Sequence, residues 1–257
     1  MTPAPECGAP GPVSAALRAT ISSHEPDNRI APMTTPVDSP RKPWSCILFD
    51  LDGTITDSAP GIIGRLSRTL AALGRPVPPP EDLVHFVGPP ILIGFELVAG
   101  MNEFEAQEAL LVYRDLAASE GPHDDAVTFP GMVGLVKFLH KAGIPLAITT
   151  SKSEVQAHRI LDHLDLCHAF VVITGASEDE TRSAKADVID EALVRLRAKN
   201  VDLSNLVLVG DRIHDMEGAA EHGIPPIMVE WGYGSPAEAD RAIAIVHSVD
   251  QLRALLI

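Results

Sequence analysis

Six short apolar runs, at residues 45–49, 145–149, 170–173, 206–209, 227–229 and 244–246, constrain this chain more than any other feature. Each is continuous rather than alternating, as a strand covered on both faces must be. Between them, Met132, Leu135, Val136 and Leu139 recur at helical spacing, as do Ala157, Ile160, Leu161 and Leu164. A third stripe runs through Val188, Ile189, Ala192, Leu193 and Leu196. Strands alternating with amphipathic helices predict βαβ units, hence an α/β fold with a parallel sheet flanked by helices. The stretch 60–129 breaks the alternation. It carries helical stripes (Ile62, Leu66, Leu70 and Leu73; Ala106, Leu110, Tyr113 and Ala117), punctuation at Pro76, Pro78, Pro79, Pro80, Pro89 and Pro90, and no convincing strand. A helical insertion over 60–129 is therefore expected inside a core made of 44–59 and 130–257.

Composition narrows the partners. Hydrophobic residues make up 46% of the 257, enough for a sizeable core. The formal net charge is −15, and no run of Lys or Arg offsets it. Such a chain repels nucleic acid and anionic membrane. The longest apolar run, 90–101, is interrupted by Glu96 and falls short of the ~18 residues of a membrane span. No secretory leader is read at the N-terminus. Cys7, Cys46 and Cys167 are odd in number and widely spaced, which fits a reducing cytoplasm rather than a disulfide framework. Residues 1–43 hold nine of the 22 prolines and no aromatic residue, and are expected to be a disordered tail, a possible site for a protein partner.

The chemistry is concentrated where strands end. Residues 46–58 read Cys-Ile-Leu-Phe-Asp-Leu-Asp-Gly-Thr-Ile-Thr-Asp-Ser. An apolar strand runs into Asp50 and Asp52, and Gly53 permits the tight turn that follows. Carboxylates at the C-terminal end of such a strand face the crevice where α/β sheets bind ligands. This pair suits phosphoryl transfer, with Asp50 as nucleophile and Asp52 as general acid and base. Two turn aspartates are the plain alternative. The preceding buried strand and the following Gly-Thr weigh against it.

Residues 208–215, Leu-Val-Gly-Asp-Arg-Ile-His-Asp, repeat the device with Asp211 and Asp215. Mg²⁺ takes hard oxygen ligands, so Asp50, Asp52, Asp211 and Asp215 are its candidate ligands. Helix capping is the alternative for Asp215. In 146–152, Leu-Ala-Ile-Thr-Thr-Ser-Lys, the hydroxyls of Thr150 and Ser151 precede a helix expected to begin near Glu154. There they can bind phosphate or simply cap the helix. Lys185 opens the helix of the Val188 stripe. A dianionic phosphate on so acidic a protein needs a cation, and Lys185 is the candidate, against the plain reading of a solvated lysine.

These segments, in this order, resemble the four motifs of the haloacid dehalogenase (HAD) phosphatases: Asp50-x-Asp52-Gly-Thr, Thr150, Lys185, and Gly210-Asp211-x-x-x-Asp215. The resemblance covers 44–257. It implies a Rossmann-like core, a small helical cap at 60–129, Mg²⁺ as cofactor, and hydrolysis of a small phosphorylated metabolite through an aspartyl phosphate. In that reading Asp50, Asp52 and Lys185 are catalytic. Thr150, Ser151, Lys185 and Gly53 hold the substrate phosphate. Finer likeness in 175–185, 210–219 and 230–234 points to the phosphoglycolate phosphatase and 5′-nucleotidase branch. The Pro-rich tail ahead of such a domain is also similar to mycobacterial HAD-fold proteins described as tyrosine kinases, so phosphotransfer from a nucleotide stands as the alternative. Arg65 and the 86–90 loop are candidate cap contributors, although Arg65 reads more simply as part of a solvated helix face. Trp231 and Tyr233 are expected to pack rather than to touch ligand.

Overall fold

The computed structural model describes residues 44–122 and 125–257. The Pro-rich segment 1–43, with Cys7 and the expected partner site, lies outside the described residues. Among the described residues all six expected strands form: β1 (Cys46–Phe49), β2 (Leu146–Ser153), β3 (Val172–Ala176), β4 (Leu206–Gly210), β5 (Pro226–Val229) and β6 (Ala244–Val246). Every pairing is parallel, and the order is β3-β2-β1-β4-β5-β6. β1 pairs on one side with β2 and on the other with β4, so the chain reverses its direction of winding between β1 and β4. The crevice beyond the C-terminal ends of these two strands is the switch point of the sheet. Asp50 and Asp211 are the next residues after β1 and β4.

The connections are helices. α1 (Ala59–Ala72), α2 (Pro80–Leu83), α3 (Ile91–Leu97) and α4 (Glu103–Glu120) follow β1, and α5 (Met132–Lys141) leads into β2. α6 (Glu154–His163), α7 (Lys185–Ala198), α8 (Ile213–Glu221) and α9 (Val249–Leu256) complete the chain. The three stripes between the strands form the buried faces of α5, α6 and α7, and the two of the insertion those of α1 and α4. One face of the sheet packs Ile47, Phe49, Ile148 and Val209 against α5, α6 and α9, while Cys46, Leu48 and Leu208 pack on the other against α7 and α8. Cys46 is thus a small core residue, and burial pushes its thiol up to about 12.

Helices α1 to α4 gather around an apolar cluster of their own. Leu66, Leu70, Phe86, Phe95 and Tyr113 belong to it, with Phe86–Phe95 and Phe95–Tyr113 meeting edge to face. α4 begins in a reciprocal capping box between Asn102 and Glu105, which fixes its entry. The chain enters and leaves this lobe side by side. Asp57 N donates to Val127 O (2.8 Å) and Phe129 N to Ile55 O (3.1 Å), around an antiparallel bridge between Thr56 and Thr128.

Candidate active site

Phe49 ends β1 fully buried, and the Asp50 carboxylate that follows is only 4% exposed. Across the switch point stand Asp211, fully buried, and Asp215, 1% exposed. One carboxylate oxygen from each of Asp50, Asp211 and Asp215 lies within 4.8 Å of the others. Lys185 closes the group. Its Nζ lies 2.8 Å from Asp50 Oδ1 and 2.6 Å from Asp215 Oδ1, and it donates to Thr149 O at 2.9 Å. The contacts to Asp50 and Thr149 are hydrogen bonds, and that to Asp215 is an ion pair. A family profile described as haloacid dehalogenase-like hydrolase matches residues 47–229, which hold all four of these side chains.

The chain belongs to that family.

Relatives at the level of sequence include the tyrosine-protein kinase PtkA of Mycobacterium tuberculosis, 40% identical over 223 residues, spanning 85% of this chain and 74% of PtkA. A 5′-nucleotidase of Pseudomonas aeruginosa is 36% identical over 81% of this chain and 92% of its own length. Among solved structures, a predicted phosphatase from Clostridium acetobutylicum superposes with a TM-score of 0.77 at 34% identity, over 84% of this chain and 99% of that one. The α/β core expected from the strand pattern is therefore the HAD core, and the chain is a HAD-type hydrolase.

Within this HAD hydrolase, glycine is what lets the carboxylates converge. Gly53 has φ +82°, and a Cβ there would collide with the Asp211 carboxylate. Gly232 abuts Asp211 Cβ and Gly53 O, and Gly234 abuts Asp211 O. Asp211 is thus walled by three glycines, none of them its neighbour in sequence. Tyr233 N, between them, donates to Asp211 Oδ2 at 2.8 Å, and Thr54 Oγ1 lies 3.4 Å from Oδ1. Asp215 serves two purposes at once. Its Oδ2 accepts from Asp211 N (3.2 Å) and Arg212 N (3.0 Å), capping α8, while Oδ1 meets Lys185. The capping alternative and the site assignment describe different oxygens of one residue.

Burial dominates the electrostatics. It pushes the Asp50 carboxyl up to about 7, against the pull of Lys185 and with reinforcement from Asp215. Burial, then the charges of Asp215 and Asp50, raise Asp211 well above the usual carboxylate range. Burial by itself lowers Lys185, but Asp215 and Asp50 more than reverse this and hold the ammonium above the ordinary lysine value. Three buried carboxylates with hard oxygen donors, of which two press against one lysine, fit a small divalent cation.

The Asp52 carboxylate is not part of the trio. It accepts from Thr56 Oγ1 at 3.4 Å and meets Lys152 Nζ at 3.1 Å. With Asp50 it lines a cavity between the sheet edge and the helical lobe, shared with Thr150, Ser151 and Lys152. β2 is irregular between Thr149 and Ser153, so these residues leave the regular ladder. Ser153, not Thr150 or Ser151, caps α6, accepting from Gln156 N. Thr150 Oγ1 accepts from Lys152 N (3.2 Å), and the buried Ser151 Oγ has no protein partner.

Lys185 and Arg65 correct the plain readings of solvated cations. Lys185 is 6% exposed and Arg65 2%. The Arg65 guanidinium grips Asp125 through both oxygens (3.0 and 3.3 Å), donates to Glu120 Oε2 (3.1 Å) and lies 3.3 Å from the Tyr113 hydroxyl. Its partners come from the far end of the lobe, which an α1 stripe cannot reveal. Lys152 reaches Asp125 as well, at 3.7 Å, so the ionic chain runs from the lobe to Asp52. Asp125 carries no local signal, and the glycines at 232 and 234 are marked only by the likeness of 230–234. Lys152 had one, its place directly after the hydroxyls of β2. Phe86, Gly88 and Pro89 of the expected loop do line the cavity. Trp231 packs against the core and donates to Thr54 O at 3.1 Å, and the Tyr233 hydroxyl donates to Asp57 (2.9 Å) and accepts from Ala59 N (2.9 Å), as packing residues do. His214 is half-buried, and burial lowers its pKa.

Proposed function

We propose that the protein is a Mg²⁺-dependent phosphatase that hydrolyses a small phosphomonoester through an aspartyl phosphate on Asp50. One observation carries the reading. Asp50 is buried at the switch point, held by Lys185 and converging with Asp211 and Asp215, yet it opens on the cavity that contains Asp52, Thr150 and Ser151.

Asp50, Asp211 and Asp215 would hold the cation, while the Asp52 carboxylate, expected from the sequence as a further ligand, lies outside that trio against Lys152 and is left for proton transfer. When bound, Mg²⁺ supplies positive charge that offsets the phosphoryl oxygens and keeps Asp50 ionised. An Asp50 oxygen attacks phosphorus as the ester oxygen departs, and Asp52 gives that oxygen its proton. In the second step Asp52 takes a proton from water, and the water oxygen displaces Asp50 from phosphorus. Ser151 Oγ, unpartnered and buried, donates to a phosphate oxygen, with Thr150, the turn at Gly53 and Lys185 around it. Residues 60–129 act as a cap that covers this cavity and excludes water from the first step. Phosphoglycolate and nucleoside monophosphates are the two candidate substrates, the second in keeping with a relative named 5′-nucleotidase. Free Cys46 and Cys167 support a cytoplasmic location. Among the described residues no helix is long and apolar enough to cross a membrane.

The test is Mg²⁺-dependent phosphate release from a panel of phosphomonoesters, with Asp50→Asn as control. Release should depend on the cation and drop by roughly a thousandfold or more in the variant. Undiminished release would refute the mechanism.

The likeness to PtkA favours a second reading, in which a protein hydroxyl replaces water in the second step and a nucleotide is the donor. Labelled ATP and candidate acceptor proteins distinguish it. Transfer of label to protein in place of phosphate release would establish it.

A further inference from the structure

Of the residues lining the cavity, three carry positive charge, Arg65, Lys152 and Arg114. Each is already matched by a protein carboxylate. Arg65 holds Asp125 and Glu120, and Lys152 holds Asp52 and Asp125. Arg114, from α4 of the lobe, pairs with Glu180 and donates to Glu178 O at 2.7 Å.

The last of these pairs has a built setting. Glu180 lies in the loop between β3 and α7, and its carboxylate side chain is 11% exposed. The loop is cross-braced. Asp179 Oδ1 accepts from Thr181 Oγ1 (2.8 Å) and Thr181 N (3.2 Å), and Ser177 N donates to Arg182 O (2.8 Å). Arg182 ties the whole to Gly175 O (3.0 Å) and Glu154 (2.8 Å). Glu180 itself has φ +59°, a conformation that a side-chain-bearing residue seldom adopts. The loop thus delivers one carboxylate into the cavity, onto the one lining cation that neither reaches Asp52 nor holds Asp125. Ile62, Phe86, Pro89, Ile91 and Ala117 give the wall an apolar part, beside the polar side chains of Tyr113, Ser153 and Gln156.

We infer that Glu180 is a specificity-determining residue. It occupies Arg114 as a substrate carboxylate would, and so selects phosphomonoesters with an uncharged, partly apolar leaving group over those that carry a carboxylate. A second carboxylate in this cavity would have to displace Glu180 or lie beside it unpaired, and like charges in a confined site discriminate strongly. An uncharged leaving group meets the Ile62 and Phe86 wall instead. This inference rests on the reading of the cavity as a phosphomonoester site.

Two non-hydrolysable ligands of matched length test it without turnover: propylphosphonate and 3-phosphonopropionate, which differ in a methyl against a carboxylate. Binding to the full-length protein in Mg²⁺ is measured by calorimetry and read as the ratio of the two Kd values. The wild type should favour propylphosphonate by about tenfold or more. Glu180→Gln, which keeps the shape and frees Arg114, should shift the ratio about tenfold toward 3-phosphonopropionate, and Arg114→Gln added to it should abolish that shift. A wild-type ratio at or below one, an unmoved ratio in Glu180→Gln, or a shift that survives in the double variant overturns the assignment and leaves the hydrolase reading standing. The expected ratios without phosphate release from any ester overturn the hydrolase reading instead. Binding of neither ligand overturns both.

Discussion

The Lys185 ammonium sits 2.8 Å from the Asp50 carboxylate, two groups 135 residues apart and both almost wholly shielded from solvent. A pair so buried draws its value from being complete. Removing one partner strands the other without water to solvate it. In Lys185→Met, Asp50 and Asp215 would face each other with no cation. Such a change costs about 3–5 kcal/mol by the precedent of broken buried pairs. Denaturant unfolding with and without Mg²⁺ should show that loss in the metal-free protein and a smaller one with the cation present. Phosphate release should stay near background in both. Equal stability of variant and wild type without Mg²⁺ would contradict this account.

Asp211 is packed against backbone, so small additions there should be felt. Gly232→Ala places a Cβ against Asp211 Cβ and Gly53 O, where no flexible side chain can yield. Overpacking of this kind costs roughly 1–3 kcal/mol. Because the displaced atoms belong to a proposed ligand, Mg²⁺ affinity measured by calorimetry should fall about tenfold or more. Gly143→Ala is strained by its φ of +77° but meets nothing within 4 Å, and should leave Mg²⁺ affinity unaltered.

The raised carboxyls predict a pH dependence with a definite sign. Asp50 is pushed up to about 7 by burial, and Asp211 moves the same way. Both lie above the unfolded value of about 3.9, so the metal-free folded protein binds more protons than the unfolded chain in that interval. The stability they contribute is present at low pH and is lost as pH rises through about 7. His214, lowered by burial, works in the opposite sense. The comparison with Asp50→Asn isolates the carboxyl. Between about pH 5 and 7.5, Tm in EDTA should decline more steeply for the wild type than for that variant. Mg²⁺ should flatten the wild-type decline, since the cation favours the charged form. Parallel Tm profiles for the two proteins would count against it.

Arg65 binds the lobe to the segment that leaves it. Arg65→Met would leave Asp125, 2% exposed, with only the more distant Lys152. A loss of about 3–5 kcal/mol is expected. Arg65→Lys keeps the charge but cannot grip both Asp125 oxygens while also reaching Glu120, so it should fall between the two. Unfolding midpoints of the three proteins give the order. A neutral Arg65→Met would mean that the pair contributes nothing.

Much of the fold was legible because a parallel strand buried on both faces reads as a continuous apolar run, as β1 to β5 do, while β6 at the sheet edge is apolar yet leaves Ile245 exposed. Continuous apolar runs marked all six strands, although β2 continues to Ser153 through its irregular turn and β3 runs over Val172–Ala176 rather than 170–173. Five helices announced themselves by stripes, while the order of the strands did not, since spacing along the chain says nothing of who pairs with whom. The acids at 50, 52, 211 and 215 stood out because each pair follows a strand directly. Lys185 was marked by the need for a cation and by its place in the resemblance to the HAD motifs. Arg65 was misread because periodicity assigns a charged residue to the solvent side unless its partners are in view, and here they lie 55 and 60 residues away.

The sequence by itself determined the kind of layer this chain builds and the strand ends at which its acids emerge, because both depend on local periodicity and on the identity of the next residue. Only the tertiary structure decided which acids share a site, that Asp215 divides its oxygens between a helix cap and Lys185, and that Gly232 and Gly234 wall in Asp211. It also decided that each cation lining the cavity is already matched by a carboxylate. Those relationships join residues distant in the chain, and electrostatic and steric energies depend on separation in space, which winding the chain around the sheet creates.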